Sequence, residues 1–170
     1  MAGNPYARFS ADPRIRLFDR IAWIYGFLFH AQRLAFRRSL RTFQHRLDLP
    51  GKARILDIGC GTGAYVSVLT EMGHEVRAVD ASPRMVATAR RLLLHAGLDD
   101  HAVQVSVGDP LEGLDFPDRH FDLVLAAHVV HGLQPAQWGA GAAGLLRGGR
   151  GDRRFTGFGL VPLPHLIAVT

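Results

Sequence analysis

Three aspartates and three alternating glycines carry the chemistry open to this sequence. Asp57 lies in the run from Ile55 to Gly63, ILDIGCGTG, with Gly59, Gly61 and Gly63 after it, while Asp80 and Asp109 each close a later apolar stretch. Glycine has no Cβ and tolerates φ > 0, so glycines at alternate positions let the backbone turn sharply and approach a ligand closely. Placed between a strand and a helix beginning near Ala64, such a turn reads as a cofactor loop. Two histidines, His128 and His131, follow the most apolar stretch and are candidates for a general base, because imidazole titrates near neutral pH. Their three-residue spacing has no third partner nearby in the sequence, so no metal is expected.

The elements that must hold these residues read as strands alternating with helices. Ile55 to Ile58 is a buried strand. Tyr65, Val66, Val68, Leu69 and Met72 then mark a helix closed by Gly73. His74 to Val79 forms a second strand ending on Asp80, and Ser82 with Pro83 caps and starts a helix whose inward residues are Met85, Val86, Ala89, Leu92 and Leu93, with Arg84, Arg90 and Arg91 mostly outward. Val103, Val105 and Val107 alternate with polar residues as a third strand, and Phe121 to Ala127 is a fourth. This order predicts right-handed crossovers and an α/β fold, doubly wound in the Rossmann manner, with a mainly parallel sheet and helices on both faces.

Ahead of the core, residues 14 to about 47 show helical spacing, with Ile15, Phe18, Ile21, Ala22 and Tyr25 on one face. Gly26 is a candidate break, with a second helix running through Leu34, Phe36, Leu40, Phe43 and Leu47. The four aromatics within Trp23 to Phe29 read as core or as a lid over a substrate pocket. Three regions follow: 1–50 as a helical lead-in or lid, 51–134 as the cofactor-binding core, and 135–170 as a glycine-rich tail of the same domain.

At 170 residues and 48% hydrophobic, the chain suits one domain with a real core. Its net charge of +5 is uneven, basic through residue 54 and acidic from 55 to 131, as for a cationic helix laid on an acidic core. Arginine supplies nearly all of the basic charge, as a GC-rich coding sequence would, which weakens any argument for a nucleic-acid partner. The single cysteine, Cys60, forms no intrachain disulfide and reads as a small residue in a tight loop. The longest early apolar run, Ile21 to Phe29, is far short of the roughly 20 residues of a membrane span, and no signal peptide is visible. A soluble, cytoplasmic protein is expected.

Two cofactors compete for the loop. Gly59, Gly61 and Ala64 satisfy the GxGxx(G/A) pattern of dinucleotide-binding folds, with Asp80 near the expected ribose-binding acid. The segment DIGCGTG also resembles the first motif, (D/E)xGxGxG, of the class I S-adenosylmethionine-dependent methyltransferases, and this resemblance uses Asp57 and Asp109 as well. It implies S-adenosylmethionine as cofactor, with Asp57 helping to hold the methionine end, Asp80 the ribose hydroxyls and Ala81 under the adenine. Asp109 would read the adenine amino group with Pro110 beside it, and Ala126 would fall at the same sheet edge. The segments FDRIAWIYG and HVVHGL look like the small-molecule branch that includes the ubiquinone/menaquinone biosynthesis C-methyltransferases and their type-11 relatives. A small-molecule acceptor is therefore implied, and no nucleic acid: the (N/D/S)PP(Y/F/W) sequence of amino-methylating enzymes is replaced by AAHVV, and there is no cysteine outside the first motif for cytosine C5 chemistry.

The resemblance fails in the tail. Where the family typically reads LLRPGG and then an apolar strand, this chain has LLRGGRGDRRFTGFG, and 135–170 is unusually rich in glycine. Residues 135–146 can still form a helix, and 155–170 can supply one strand. A truncated or frameshifted reading frame from near Gln137 is expected to leave the C-terminal strands incomplete, exposing a sheet edge that favours self-association.

Overall fold

The computed structural model describes residues 11–47, 49–98, 103–109, 112, 114, 116, 117, 120–126, 156–158 and 166–169. A long first helix, α1 (Pro13–Leu47), precedes β1 (Arg54–Ile58), α2 (Ala64–Glu71), β2 (Glu75–Asp80), α3 (Pro83–His95), β3 (Val103–Val107) and β4 (Leu123–Leu125). Two short strands follow, β5 (Thr156–Phe158) and β6 (Leu166–Val169). All six form one sheet in the order β3-β2-β1-β4-β6-β5. The first four are mutually parallel, β6 runs antiparallel to β4, and β5 antiparallel to β6. The tail thus contributes two strands where the sequence predicted one, because its apolar residues divide into two segments that pair with each other.

Alternation along each strand sorts the core into two layers. Ile55, Val76, Ala78, Val105, Leu123 and Leu125 face one way, packed with residues of all three helices. Leu56, Ile58, Val79, Phe121, Val124 and Ala126 face the other way and form a smaller cluster with Leu114 and Phe116. Among the described residues, α1, α2 and α3 share the first face, with α1 lying across the other two. The predicted helix over 135–146 lies outside the described residues.

Helix α1 runs through Gly26 without a break, which corrects the expectation of two helices. A helical glycine costs about 1 kcal/mol, and burial of Ile15 and Ala22 before it and of Phe29, Phe36 and Leu40 after it outweighs that cost. Two expected inward residues, Phe18 and Leu34, are instead exposed. The buried line passes through Ile15, Ala22, Phe29, Phe36 and Leu40, and Leu34 falls off that line. The side chains of Phe43 and Leu47 lie outside the described residues.

Polar contacts tie the frame together. The Arg54 amide donates to Asp122 Oδ2 at 2.8 Å and the Asp122 amide returns a bond to the Arg54 carbonyl at 2.8 Å, fixing the entry of β1 beside β4. Arg33 and Arg37 of α1 both reach the Glu71 carboxylate at the end of α2. Arg90, exposed as expected, also donates from Nε and Nη2 to the Val105 carbonyl on the edge strand β3, at 3.0 and 2.6 Å.

Candidate cofactor site

The strand order reverses beside β1, whose neighbours are β2 and β4, and such a switch point opens a crevice at the carboxyl ends of the strands. Asp57 lies in β1, Asp80 is the last residue of β2, Asp109 follows β3 by two residues and Ala126 follows β4 by one. The fold brings these four to one end of the sheet. Pro110, His128 and His131 lie outside the described residues.

The glycine turn is locked from below. The Gly59 and Cys60 amides donate to the Val79 carbonyl at 2.8 and 3.1 Å, so the turn leaving β1 hangs on the end of β2. Asp80 completes the lock: its Oδ2 accepts the Gly61 amide and its Oδ1 accepts the Ser82 amide, both at 2.8 Å. One carboxylate thereby fixes the turns after β1 and β2 relative to each other. The Gly108 amide donates to the Asp80 carbonyl at 3.1 Å, which adds the end of β3 to the same network.

Gly61 and Gly63 have φ of +55° and +80°. They are not equivalent. A Cβ at Gly61 would meet nothing within 4 Å, so the space beside this backbone is open. A Cβ at Gly63 would lie 3.1 Å from Leu93 Cδ1 and 3.4 Å from Ala89 Cβ, so the third glycine serves the close packing of α2 on α3.

Asp57 is fully buried, and neither carboxylate oxygen has a hydrogen-bond partner among the described residues. Burial, and secondarily the nearby charge of Asp80, push its carboxyl up to about 8. Asp80 is also raised, by burial first and with a smaller push from Asp19, against the lowering effect of its Ser82 and Gly61 donors. The Tyr65 phenol is pushed up to about 12 by burial and by Asp57. A buried carboxyl without a partner is costly. A cation placed beside it would supply the missing partner.

Three contributors were not singled out from the sequence. Thr62, inside the glycine turn, is 2% exposed, with a hydroxyl that has no partner among the described residues; its place between two glycines was the available signal. Asp19 reaches from α1 to accept the Ser82 hydroxyl and, at 3.2 Å, the Arg84 amide at the start of α3. Nothing local in the sequence marks that contact, which spans more than sixty residues. Tyr65 was assigned only to a helix face. Cys60 behaves as expected: it is buried and free, and burial pushes its thiol well up, with Asp80 and Asp57 adding to the effect. Among the described residues no cluster of three or more His, Cys, Asp or Glu side chains is arranged to hold a metal, and no helix is long and apolar enough to cross a membrane.

Residues 55–149 match the family described as "Methyltransferase domain". The chain belongs to that family. It is 35% identical over 105 residues to a ubiquinone biosynthesis O-methyltransferase of Bradyrhizobium diazoefficiens, covering 62% of this chain and 38% of the relative. It is 37% identical over 103 residues to a malonyl-[acyl-carrier protein] O-methyltransferase of Enterobacter lignolyticus, covering 59% of this chain and 38% of the relative. The chain therefore spans well under half the length of these two proteins. A solved structure from Methanococcus maripaludis, assigned as an S-adenosyl-L-methionine-dependent methyltransferase, superposes with a TM-score of 0.61 at 21% identity, covering 80% of this chain and 57% of that one. That superposition shows the shared Rossmann-like fold.

Proposed function

We propose that this chain binds S-adenosylmethionine and, through the core at 51–134, transfers its methyl group in line to a small-molecule acceptor. The observation that carries this reading is the fully buried carboxyl of Asp57, without a hydrogen-bond partner among the described residues, next to a turn held by a second carboxylate, Asp80. A dinucleotide would bring a pyrophosphate, which offers no positive charge to pair with either acid. S-adenosylmethionine brings an ammonium and a sulfonium instead, and the residues present fit it. When bound, it supplies a methyl group on an electrophilic carbon.

The protein's part is binding, alignment and exclusion of water. Asp57 pairs with positive charge at the methionine end, while the open backbone at Gly59 and Gly61 lies along the cofactor. Asp80, already fixed by two amides, uses its remaining lone pairs for the ribose hydroxyls; Ala81 flanks the adenine, and Asp109 with Pro110 reads its amino group. Ala126 borders the place of transfer, and His128 and His131, two and five residues further along the sequence, are the candidates to take the acceptor's proton. The names of the two relatives support an oxygen acceptor, and the absence of a membrane-spanning helix among the described residues supports a cytoplasmic setting.

Titration calorimetry with S-adenosylmethionine and with NAD tests the reading directly. Saturable binding of the former, weakened at least ten-fold by Asp80→Ala, is expected; binding of NAD alone, or no change in Asp80→Ala, overturns it. A second reading, a cofactor-binding protein without turnover, draws on the sheet beyond β4, where two short antiparallel strands stand among the described residues. Radiolabelled methyl transfer to any hydroxylated acceptor eliminates that second reading.

A further inference from the structure

His74 occupies the turn from α2 to β2, at the end of the sheet away from the glycine turn. Its amide donates to the Leu69 carbonyl of α2 at 3.2 Å, and its Nδ1 lies 3.2 Å from the amide of Ala53, the residue before β1. A backbone amide can only donate, so Nδ1 must be the acceptor and the neutral ring carries its proton on Nε2. Ala53 is fully buried, and its carbonyl accepts the Glu75 amide at 2.9 Å. Both polar groups at the entry of β1 are therefore held by the two residues that lead into β2.

We propose that His74 is an acid-sensitive latch on the entry of β1: its neutral imidazole holds the Ala53 amide, and a proton on Nδ1 releases it. A charged imidazole donates from both nitrogens, so Nδ1–H and the Ala53 N–H would face each other with no acceptor between them. A buried amide left without a partner is costly, and the strand's entry must open to relieve it. Burial pushes the imidazole below its ordinary value. Among the described residues, the charged groups on the neighbouring elements are engaged elsewhere or exposed. Arg54 of β1 pairs with Asp122, Glu71 of α2 with Arg33 and Arg37 of α1, and Arg77 of β2 bonds Gln104 of β3, while Lys52 and Glu75 are exposed. The side chains of His45, Arg46 and Asp48 lie outside the described residues. A histidine that binds its proton less readily folded than unfolded contributes stability that is present above about pH 6.5 and is lost as pH falls below it.

His74→Asn places an amide oxygen where Nδ1 stands, an acceptor that does not titrate. In urea titrations of the full chain at about pH 7.5 and about pH 5, the folding constant of the wild type is expected to drop about five-fold more than that of His74→Asn. Every other titrating group is common to the two proteins, so the ratio isolates His74. His74→Ala, which has no acceptor, is expected to be weaker than the wild type at the higher pH and to share the flatter profile. Nitrogen-15 spectra of the wild type read the latch directly: His74 is expected as the Nε2–H tautomer near pH 7.5, with the Ala53 amide resonance moving at the same midpoint as the ring. Parallel pH profiles for the wild type and His74→Asn, a protonated Nδ1 near pH 7.5, or an Ala53 amide indifferent to the His74 titration overturns the proposal.

Discussion

The carboxylate of Asp19 accepts the hydroxyl of Ser82, joining the N-terminal helix to the turn that leaves β2. The same carboxylate takes the Arg84 amide, so it caps α3 from outside that helix while Ser82 caps it from within, through the Met85 amide at 3.1 Å. Asp80 lies two residues before Ser82 and holds its amide. The lead-in helix is therefore wired to the proposed ribose-binding residue through one serine.

Asp19→Ala removes the one oxygen, Oδ1, that accepts both bonds. Loss of a capping contact costs about 1 kcal/mol, and a turn released by that amount should bind S-adenosylmethionine about five-fold more weakly. Calorimetry on the variant checks this, and Asp19→Asn, which retains one acceptor oxygen, should recover part of the loss.

Asp57→Asn separates stability from binding. With its carboxyl raised to about 8 in the fold and ordinary when unfolded, Asp57 contributes stability that is full below about pH 4 and is lost as pH rises toward 8. The asparagine variant lacks this loss. Its melting temperature should match the wild type near pH 4 and exceed it by several degrees near pH 8, while its cofactor affinity falls at least ten-fold.

The same group makes binding proton-linked. A cation beside Asp57 favours the carboxylate and lowers its pKa, so binding near neutral pH should release close to one proton and affinity should rise with pH until about 8. Calorimetry at pH 7 in two buffers of different ionisation enthalpy measures the proton count. Asp57→Asn should bring it near zero.

Gly61→Ala and Gly63→Ala should fail differently. Both place a side chain at positive φ, costing about 1 kcal/mol. At Gly63 the added methyl also presses on Leu93, so the stability loss should reach about 2–3 kcal/mol by denaturant titration. At Gly61 space is free, so stability should fall less and cofactor binding more.

The strands and helices that hold the site were legible because period and punctuation agree there: glycines at positive φ close α2 and α3, and Ser82 with Pro83 opens α3 where the pattern placed it. Asp57, Asp80 and Asp109 were legible as a set through their positions at strand ends. Gly26 misled because local propensity is weaker than burial along a 35-residue helix. Phe18 and Leu34 misled because hydrophobicity alone does not say which side of a helix meets the core. Asp19 was invisible for another reason: its partners are distant in sequence, and a lone aspartate on a basic helix looks like any solvated charge. The separate duties of Gly61 and Gly63 needed the position of Leu93.

Arg90 has a consequence for how copies of this protein meet. By seating its guanidinium on the Val105 carbonyl, it occupies an acceptor that a foreign strand would need in order to extend the sheet past β3. A newcomer must first evict a charged, doubly bonded plug, so growth of intermolecular cross-strand ladders on that flank is impeded. Any association through an open sheet margin is thereby directed to the β5 side, and Arg90→Ala would be expected to make the β3 flank the first place where concentrated protein begins to aggregate.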